Sequence, residues 1–480
     1  MISKIFEKYN KLSNPAKASL WYAVCNVLQK GISFIVVPIY VRLLTTTEYG
    51  QYTVFQSWRD VLIIIVSLNL YCGIFTKAMV DYRDERDRYT SSMQGLTTVL
   101  TIAWFIIYCS GKNFWNSIFD MSTITMILMF LYFLVYPSLS FWSVRQRVDY
   151  KYRPMMMVTM SLSVLTPVIS LILLKFTVLR ENAVIWGFLF VQIAFGLYFY
   201  LSQFIKGKCF IDKTYWLHAL KFNIPLIPHY LSLIVLAQAD RIMIKNICST
   251  DKAGIYGLAY SVSMLMTILT SAINNSLVPW IYEKLKEKDY QAIKGVTNKI
   301  CILTGILTFA AILIAPEIVA ILGTREYYEA IWIIPPVSMS AFLTFCYGLY
   351  SNVEFYYNKT HYVMIASSVG AVLNIILNWI FINAFGYLAA GYTTLASYVV
   401  LMLMHYFFVK KICNKDLGRI NVFDNKSVFL MCLALLFLMF LSILLYELSL
   451  IRYVVIAIII VLIIIQRKKI ASLLTRKNIL

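Results

Sequence analysis

Apolar runs of about 20 residues, the length that crosses a bilayer as a helix, recur along nearly the whole chain. Short segments rich in Lys and Arg separate them. The pattern predicts about fourteen transmembrane helices. They lie near residues 18–43, 51–75, 92–110, 119–142, 155–175, 183–205, 222–247, 253–281, 299–322, 330–353, 361–383, 387–409, 427–446 and 451–466. A membrane β-barrel would show shorter segments of alternating polarity. The expected fold is therefore an all-α polytopic membrane protein.

Inside these runs a few polar positions recur at helical spacing. Tyr22, Asn26, Gln29, Lys30 and Ser33 share one face of the first helix, and Gln56, Arg59 and Asp60 follow the same spacing on the second. The seventh helix carries His229, Ser232, Gln238, Arg241 and Lys245 with Asp240 beside them; the eighth carries Tyr256, Tyr260, Ser263, Thr267 and Asn274. The first two helices open one half of the chain and the other two open the second, so their stripes are expected to face each other across one cavity. Two clusters matter most: Arg59-Asp60 and Asp240-Arg241. A charge at mid-membrane costs about 2.5–3.5 kcal/mol even on lenient scales, and persists where it faces a water-filled cavity or binds something charged.

Lys30, Arg59 and Arg241 are the candidate partners of an anionic headgroup, because the Arg fork can hold two phosphate oxygens at once. Arg42 and Lys245 belong to the same basic set, although their places near the outer helix ends also fit snorkelling. Asp60, Asp240 and Glu354 are candidate sites for a coupling H⁺ or Na⁺, against the alternative that they balance nearby Arg. Asn26, Gln29, Gln56, Gln238, Tyr256, Tyr260, Asn374 and Asn378 are expected to line the cavity with polar groups. Neighbouring residues on a helix point about 100° apart, so neither charged dipeptide is expected to be a self-contained pair. The alternative for both is that they engage adjacent helices and lock the bundle. Prolines at 38, 137, 167, 225, 228, 279, 335 and 336 fall within the predicted helices, where kinks could act as hinges or as fixed bends.

The loops set orientation. Lys and Arg crowd the N-terminus, every second loop except the tenth, which carries Lys359 alone, and the C-terminus, so both termini are expected on the cytoplasmic side. The external loops leave no room for a folded domain. An internal repeat adds to this: TTEYGQY at 46–52 meets TDKAGIY at 250–256, aligning Thr46 with Thr250, Gly50 with Gly254 and Tyr52 with Tyr256. Ser57 and Ser261, then Ser67 and Ser271, continue the register. Both units start on the cytoplasmic side, so the repeat is parallel. It predicts two six-helix lobes related by a pseudo-two-fold along the membrane normal, the arrangement of carriers that bind substrate between rocking halves. The expected division is 1–210, 211–412, and a peripheral pair of lipid-facing helices with a basic tail at 413–480.

Composition narrows the chemistry. The net charge is +20 over 480 residues, 60% of them hydrophobic. The basic residues sit where topology needs them, so no nucleic-acid partner is expected. Nine scattered cysteines form no CxxC, and four histidines lack metal spacing, so neither disulfides nor a metal are expected. The N-terminus lacks the apolar core of a signal peptide. There is no P-loop, no GxSxG and no dinucleotide fingerprint, so no catalytic residues and no organic cofactor are assigned.

Three stretches together carry a family likeness: residues 38–52 (PIYVRLLTTTEYGQY), residues 226–256 with IPH, Asp240-Arg241 and AGIY, and residues 374–397 (NIILNWIFINAFGYLAAGYTTLAS). In this order and spacing the chain resembles the Wzx-type polysaccharide flippases of the multidrug/oligosaccharidyl-lipid/polysaccharide (MOP) exporter superfamily. The resemblance spans helices one to twelve. It implies two six-helix lobes around a cationic cavity in the bacterial cytoplasmic membrane. It also implies movement of undecaprenyl-pyrophosphate-linked oligosaccharide from the inner to the outer leaflet, for O-antigen, lipopolysaccharide, capsule or exopolysaccharide assembly. Such a carrier would work beside a polysaccharide polymerase and a chain-length regulator. The rivals are a cation-coupled drug exporter of the same superfamily, a peptidoglycan-precursor flippase, and a membrane polysaccharide polymerase or ligase. The first would favour an acidic cavity, and the last usually carries a large external loop that this chain lacks.

Overall fold

The computed structural model of the chain describes residues 14–465, which are largely helical with no strand among them. The chain divides into two compact units, Met1–Ile242 and Met243–Leu480. The first contains α1 (Asn14–Leu43), α2 (Thr46–Ser67), α3 (Ile74–Asp81), α4 (Arg86–Ser110), α5 (Lys112–Phe119), α6 (Thr123–Val148), α7 (Tyr152–Phe176), α8 (Glu181–Gly207) and α9 (Lys213–Asn223). Helix α10 (Ile227–Ile247) starts in the first unit and ends in the second. The second unit continues with α11 (Thr250–Glu287), α12 (Tyr290–Leu313), α13 (Ala315–Leu322), a 3₁₀ segment (Arg325–Trp332), α14 (Ile334–Tyr356), α15 (Thr360–Phe385), α16 (Ala389–Asp416), α17 (Asn425–Leu444) and α18 (Ser449–Ile465). Among the described residues eleven helices are long and apolar enough to cross a membrane, or twelve if the bent 3₁₀–α14 pair is one span, and the predicted helix over 299–322 is split between α12 and α13. The boundary between units falls inside α10, not at residue 210.

The repeat seen in the sequence reappears in the element starts. Thr250 opens α11 204 positions after Thr46 opens α2, and Tyr290 opens α12 204 positions after Arg86 opens α4. A helix of eight residues then follows α4 and α12, α5 in the first unit and α13 in the second. The start of each repeat is tied down by charge, with the signs exchanged. Glu48 completes a capping box with Thr45 and accepts from Arg180 Nε at 2.7 Å. Its counterpart Lys252 donates to Glu329 at 2.8 Å, and Tyr387 donates to the same carboxylate.

One interruption breaks the symmetry. The prediction of a single helix over 51–75 needs correction, because α2 ends at Ser67 and the chain resumes as α3 at Ile74. Leu68 and Asn69 adopt left-handed backbone with φ of 50° and 51°, and Gly73 follows at 60°. The carbonyls of Leu68 and Asn69 accept from Asn223 Nδ2 at 3.2 and 2.9 Å, and that of Asn69 also accepts from Cys72 N at 3.0 Å. An interrupted helix at membrane depth needs such a partner, since lipid offers none. The equivalent α11 runs 38 residues without a break.

The prolines divide into two groups. Pro38, Pro137, Pro167 and Pro279 lie inside helices. Pro335 and Pro336 instead open α14, where the missing N–H costs no intrahelical bond. Pro225 sits in a 3₁₀ turn and Pro228 in the first turn of α10. The 3₁₀ segment and α14 meet at a bend of 49°.

Packing within each unit follows the apolar faces. Phe55, Ile64, Met129, Phe133 and Leu189 centre one core of the first unit; Phe75, Met79, Tyr89, Met93 and Phe141 centre another. In the second unit one core joins Ile281, Cys301, Phe342, Phe345 and Met402 to Cys432 and Met439 of α17. Thus α17 buries one face while Leu430, Leu433 and Phe437 stay exposed. The expectation that the last two helices are purely lipid-facing needs a further correction. Arg452 of α18 is 3% exposed, and its guanidinium meets Glu317 of α13 at 2.5 Å.

Asp424 caps α17, accepting from Ser427 N at 3.2 Å, and also receives Asn298 Nδ2 at 3.0 Å. Hydrogen bonds from Ser427 and Asn298 hold its carboxyl below the ordinary value. A depressed carboxylate contributes stability above its unfolded pKa of about 4 and loses it as pH falls through the lower folded value. Asp424→Ala is expected to lower stability at neutral pH by about 1 kcal/mol. Thermal unfolding in detergent should show the difference, and the variant and the natural chain should converge in acid.

Candidate functional site

The first unit gathers both charged clusters at one place. Arg59 and Asp60 sit mid-way along α2, and Asp240 and Arg241 lie on the part of α10 that belongs to this unit. Arg59 donates from Nε and Nη2 to Oδ1 of Asp60, at 2.9 and 2.6 Å. The two adjacent side chains thus pair directly, although the pair is not self-contained. The long Arg side chain folds back far enough to overcome the divergence of adjacent Cβ atoms. The carboxylate is then shared: Gln238 Nε2 donates to its other oxygen at 3.0 Å. The carbonyl of Gln238 accepts from Ser57 Oγ at 3.1 Å and from Arg241 Nη1. A continuous chain of polar contacts thus runs from Arg59 through Asp60 and Gln238 to Arg241, with α2 and α10 in direct contact.

The surroundings are aromatic. The Arg59 guanidinium lies 4.6 Å from the centroid of Phe188 on α8. Tyr52, Tyr132 and Tyr136 lie within electrostatic range of Arg59, and Tyr71 within range of Asp60. Tyr132 and Tyr136 pack 4.9 Å apart, and Tyr71 meets Tyr136 edge-on at 5.9 Å. Thirty-four tyrosines are scattered along the chain, and nothing in their order prefers these. They are brought together by α2, the break that follows it and α6, not by local spacing, and only the Tyr132–Tyr136 step of four carries a readable signal.

Side-chain exposure is 15% for Arg59 and 28% for Asp60, so the pair is shielded but not sealed. Asp240 and Arg241 are more deeply placed, at 1% and 9%. The two bonds to Asp60 use Nε and Nη2 of Arg59, leaving the Nη1 edge of the fork outside that pair. Two arginines and two aspartates make the cluster formally neutral. Its positive face is thus set by which guanidinium edges remain accessible, not by an excess of cations.

The remaining residues of the predicted site divide between the units. In the first, Asn26 and Gln29 are exposed on α1, Lys30 beside them is half-buried, and Arg42 is exposed at the end of the same helix. Gln56 donates to Tyr52 Oη at 2.9 Å. In the second, Lys245 is half-buried near the end of α10. Tyr260 is partly buried, and Tyr256, 6.4 Å from it ring to ring, is wholly buried. Asn374 and Asn378 are also wholly buried. Asn374 donates to Thr394 Oγ1 at 3.2 Å, Asn378 donates to Asn374 at 3.2 Å, and Thr393 donates to Asn378. The cavity-lining expectation is corrected for Tyr256, Asn374 and Asn378, since their polar groups are enclosed by packing; the two asparagines bind α15 to α16. Glu354 is corrected too: its partner is His405, not an arginine.

The model of the polysaccharide biosynthesis protein family matches residues 16–285, more than half of the chain. The MatE family model matches residues 225–380. The Lsg locus putative protein 1 of Haemophilus influenzae is 24% identical over 380 residues, covering 74% of this chain and 88% of that protein. An uncharacterized membrane protein of the same organism is 23% identical over 382 residues, with the same coverage. Among solved structures, the lipid II flippase MurJ in an inward closed conformation superposes with a TM-score of 0.62 at 15% identity, covering 95% of this chain and 99% of that one. An inward-facing MATE family transporter of the MOP superfamily gives 0.61 at 11% identity, covering 82% and 99%. These structural likenesses establish the fold, and the family match establishes descent. The chain has the fold of these transporters and belongs to the polysaccharide biosynthesis protein family.

Proposed function

We propose that the protein is a flippase that carries a lipid-linked oligosaccharide, built on undecaprenyl pyrophosphate, from the cytoplasmic to the outer leaflet of the bacterial cytoplasmic membrane. The observation that supports this best is the shielded Arg59–Asp60–Gln238–Arg241 chain, set among tyrosines in a member of this family. A guanidinium held by one edge can offer the other edge to phosphate oxygens. Tyrosine faces and hydroxyls are suited to sugar rings. On this reading the headgroup enters a cytoplasm-facing cavity while the polyprenyl tail stays in lipid, and alternating access delivers it outward with no bond made or broken. The basic loops support cytoplasmic termini. A polymerase and a chain-length regulator would take over the product.

The match of residues 225–380 to the MatE model favours a second reading, a cation-coupled drug exporter. The two readings separate in a strain lacking the gene. Lipid-linked repeat units are quantified, and a non-permeant glycan-modifying reagent on spheroplasts reports which leaflet holds them. Accumulation in the cytoplasmic leaflet with surface polymer lost is the expected result. Accumulation in the outer leaflet would overturn it in favour of a polymerase or ligase. No accumulation, with new drug sensitivity, would favour the exporter.

A further inference from the structure

The second unit holds an ionisable pair that the substrate pathway above does not use. Glu354, near the end of α14, is 0% exposed, and His405 on α16 is 1% exposed. His405 Nδ1 lies 2.9 Å from both Oε1 and Oε2 of Glu354. The imidazole stacks on Tyr347, with centroids 5.3 Å apart and planes 12° apart, so the ring is held in the plane that meets the carboxylate. No lysine or arginine among the described residues pairs with Glu354.

The groups around the pair come from every neighbouring helix. His361 on α15 acts electrostatically on Glu354. Tyr398 of α16 stacks on Tyr347, and Tyr260 of α11 lies within electrostatic range of it. Tyr282 of α11 meets Tyr356. Cys301 of α12 and Cys432 of α17 flank Cys346, and Asn425 at the start of α17 accepts from Tyr350. None of these carries a fixed positive charge.

Charge accounting then restricts the pair. A lone ion in such a place is costly, whereas a paired one is tolerated. With one proton shared, the pair is neutral overall, either as carboxylate with imidazolium or as carboxylic acid with imidazole. Removing that proton leaves a buried net negative charge, and adding a second leaves a net positive one. When water reaches such a pair at neutral pH, a carboxylate is ionised and an imidazole is largely neutral. Closing therefore favours uptake of one proton, and opening favours its release.

We propose that Glu354 and His405 form a proton-binding site, which holds one shared proton while it is enclosed and loses it when water reaches it. This rests on the transport reading and assigns its coupling ion.

The test uses the purified full chain in nanodiscs of phosphatidylethanolamine and phosphatidylglycerol, without substrate. Infrared difference spectra are taken across a pH step from about 8 to about 5, the range in which imidazole changes charge. The expected result is uptake of one proton, seen as a carboxyl or an imidazole band, that Glu354→Gln removes or shifts and His405→Gln moves to a different pH. An unchanged signal in Glu354→Gln, or none in the natural chain, would overturn the proposal. Size-exclusion profiles identify variants that fail to fold. If Glu354→Gln does fail, His405→Gln alone decides: an unmoved signal overturns the assignment and a moved one supports it. In parallel, the gene-deletion strain carrying each variant is scored for surface polymer. Failure of the natural gene to restore polymer would count against the flippase reading while leaving the infrared result to judge the proton site.

Discussion

Arg59→Ala should abolish surface polymer in a deletion strain complemented with the variant, while the protein still reaches the membrane. The substitution removes two charge-assisted hydrogen bonds to Asp60 and the stack on Phe188. Loss of hydrogen bonds to a charged group costs about 1.5–3 kcal/mol in stability. Partial exposure of the pair places this toward the lower end. A transporter with ordinary reserves survives that cost, so the loss of transport comes from the missing guanidinium. The double variant Arg59→Ala/Asp60→Asn separates the two roles. It leaves no unpaired carboxylate, and the carbonyl of the introduced amide would still accept from Gln238. If Arg59 only neutralises Asp60, the double variant regains transport. If Arg59 holds the headgroup, the double variant regains thermal stability and remains inactive, which is the outcome expected here. Arg59→Lys keeps the charge but loses the fork, and should retain a small residual activity.

Gly187→Leu should remove the protein from the membrane altogether. A Cβ at Gly187 of α8 would lie 2.4 Å from Ser170 Oγ and 2.6 Å from Ser170 Cα of α7. The second atom is backbone, so no rotamer change relieves the contact. Ser170 is the buried residue of α7, and its hydroxyl donates to Val184 O at 3.3 Å across the same seam. Small residues let helices approach closely in lipid, where no hydrophobic force drives them together. Overpacking in a rigid interior costs about 1–3 kcal/mol per added group, and leucine adds several. Immunoblotting of membranes and detergent-extracted protein should find little folded chain.

Much of this fold is written in the one-dimensional pattern. Span length and loop charge mark the long helices, and the repeat beginning at Thr46 and Thr250 locates matching helix starts in the structure to the residue. What the pattern hides is set by contacts remote in sequence. The break after Ser67 leaves apolar residues on both sides, so hydropathy reads straight across it. Its partner, Asn223, lies more than a hundred residues away. Helical spacing puts Asn374 and Asn378 on a polar face, yet cannot say whether that face meets water or another helix. Four residues here, the two asparagines with Thr393 and Thr394, satisfy one another. The Arg59–Asp60 pair is hidden differently: helix angles describe Cβ directions, while a guanidinium lies several rotatable bonds further out. Glu354 is isolated in the sequence, and its partner His405 carries no signal until α14 and α16 are seen together.

The interrupted second helix has a mechanical meaning. A continuous α-helix resists bending because each turn is cross-braced by the next. Between Ser67 and Ile74 that bracing is replaced by two turn bonds, Leu70 N to Ser67 O and Cys72 N to Asn69 O, and by Asn223, whose amide donates to the carbonyls of Leu68 and Asn69. Swinging α3 relative to α2 breaks no α-helical rung, but it must release that amide and the packing of Phe75 and Met79. The matching α11, about 57 Å long at 1.5 Å per residue, has no such joint apart from the bend that Pro279 permits. One copy of the repeat has become an elbow and the other a lever, so a duplicated sequence yields two elements of unequal stiffness.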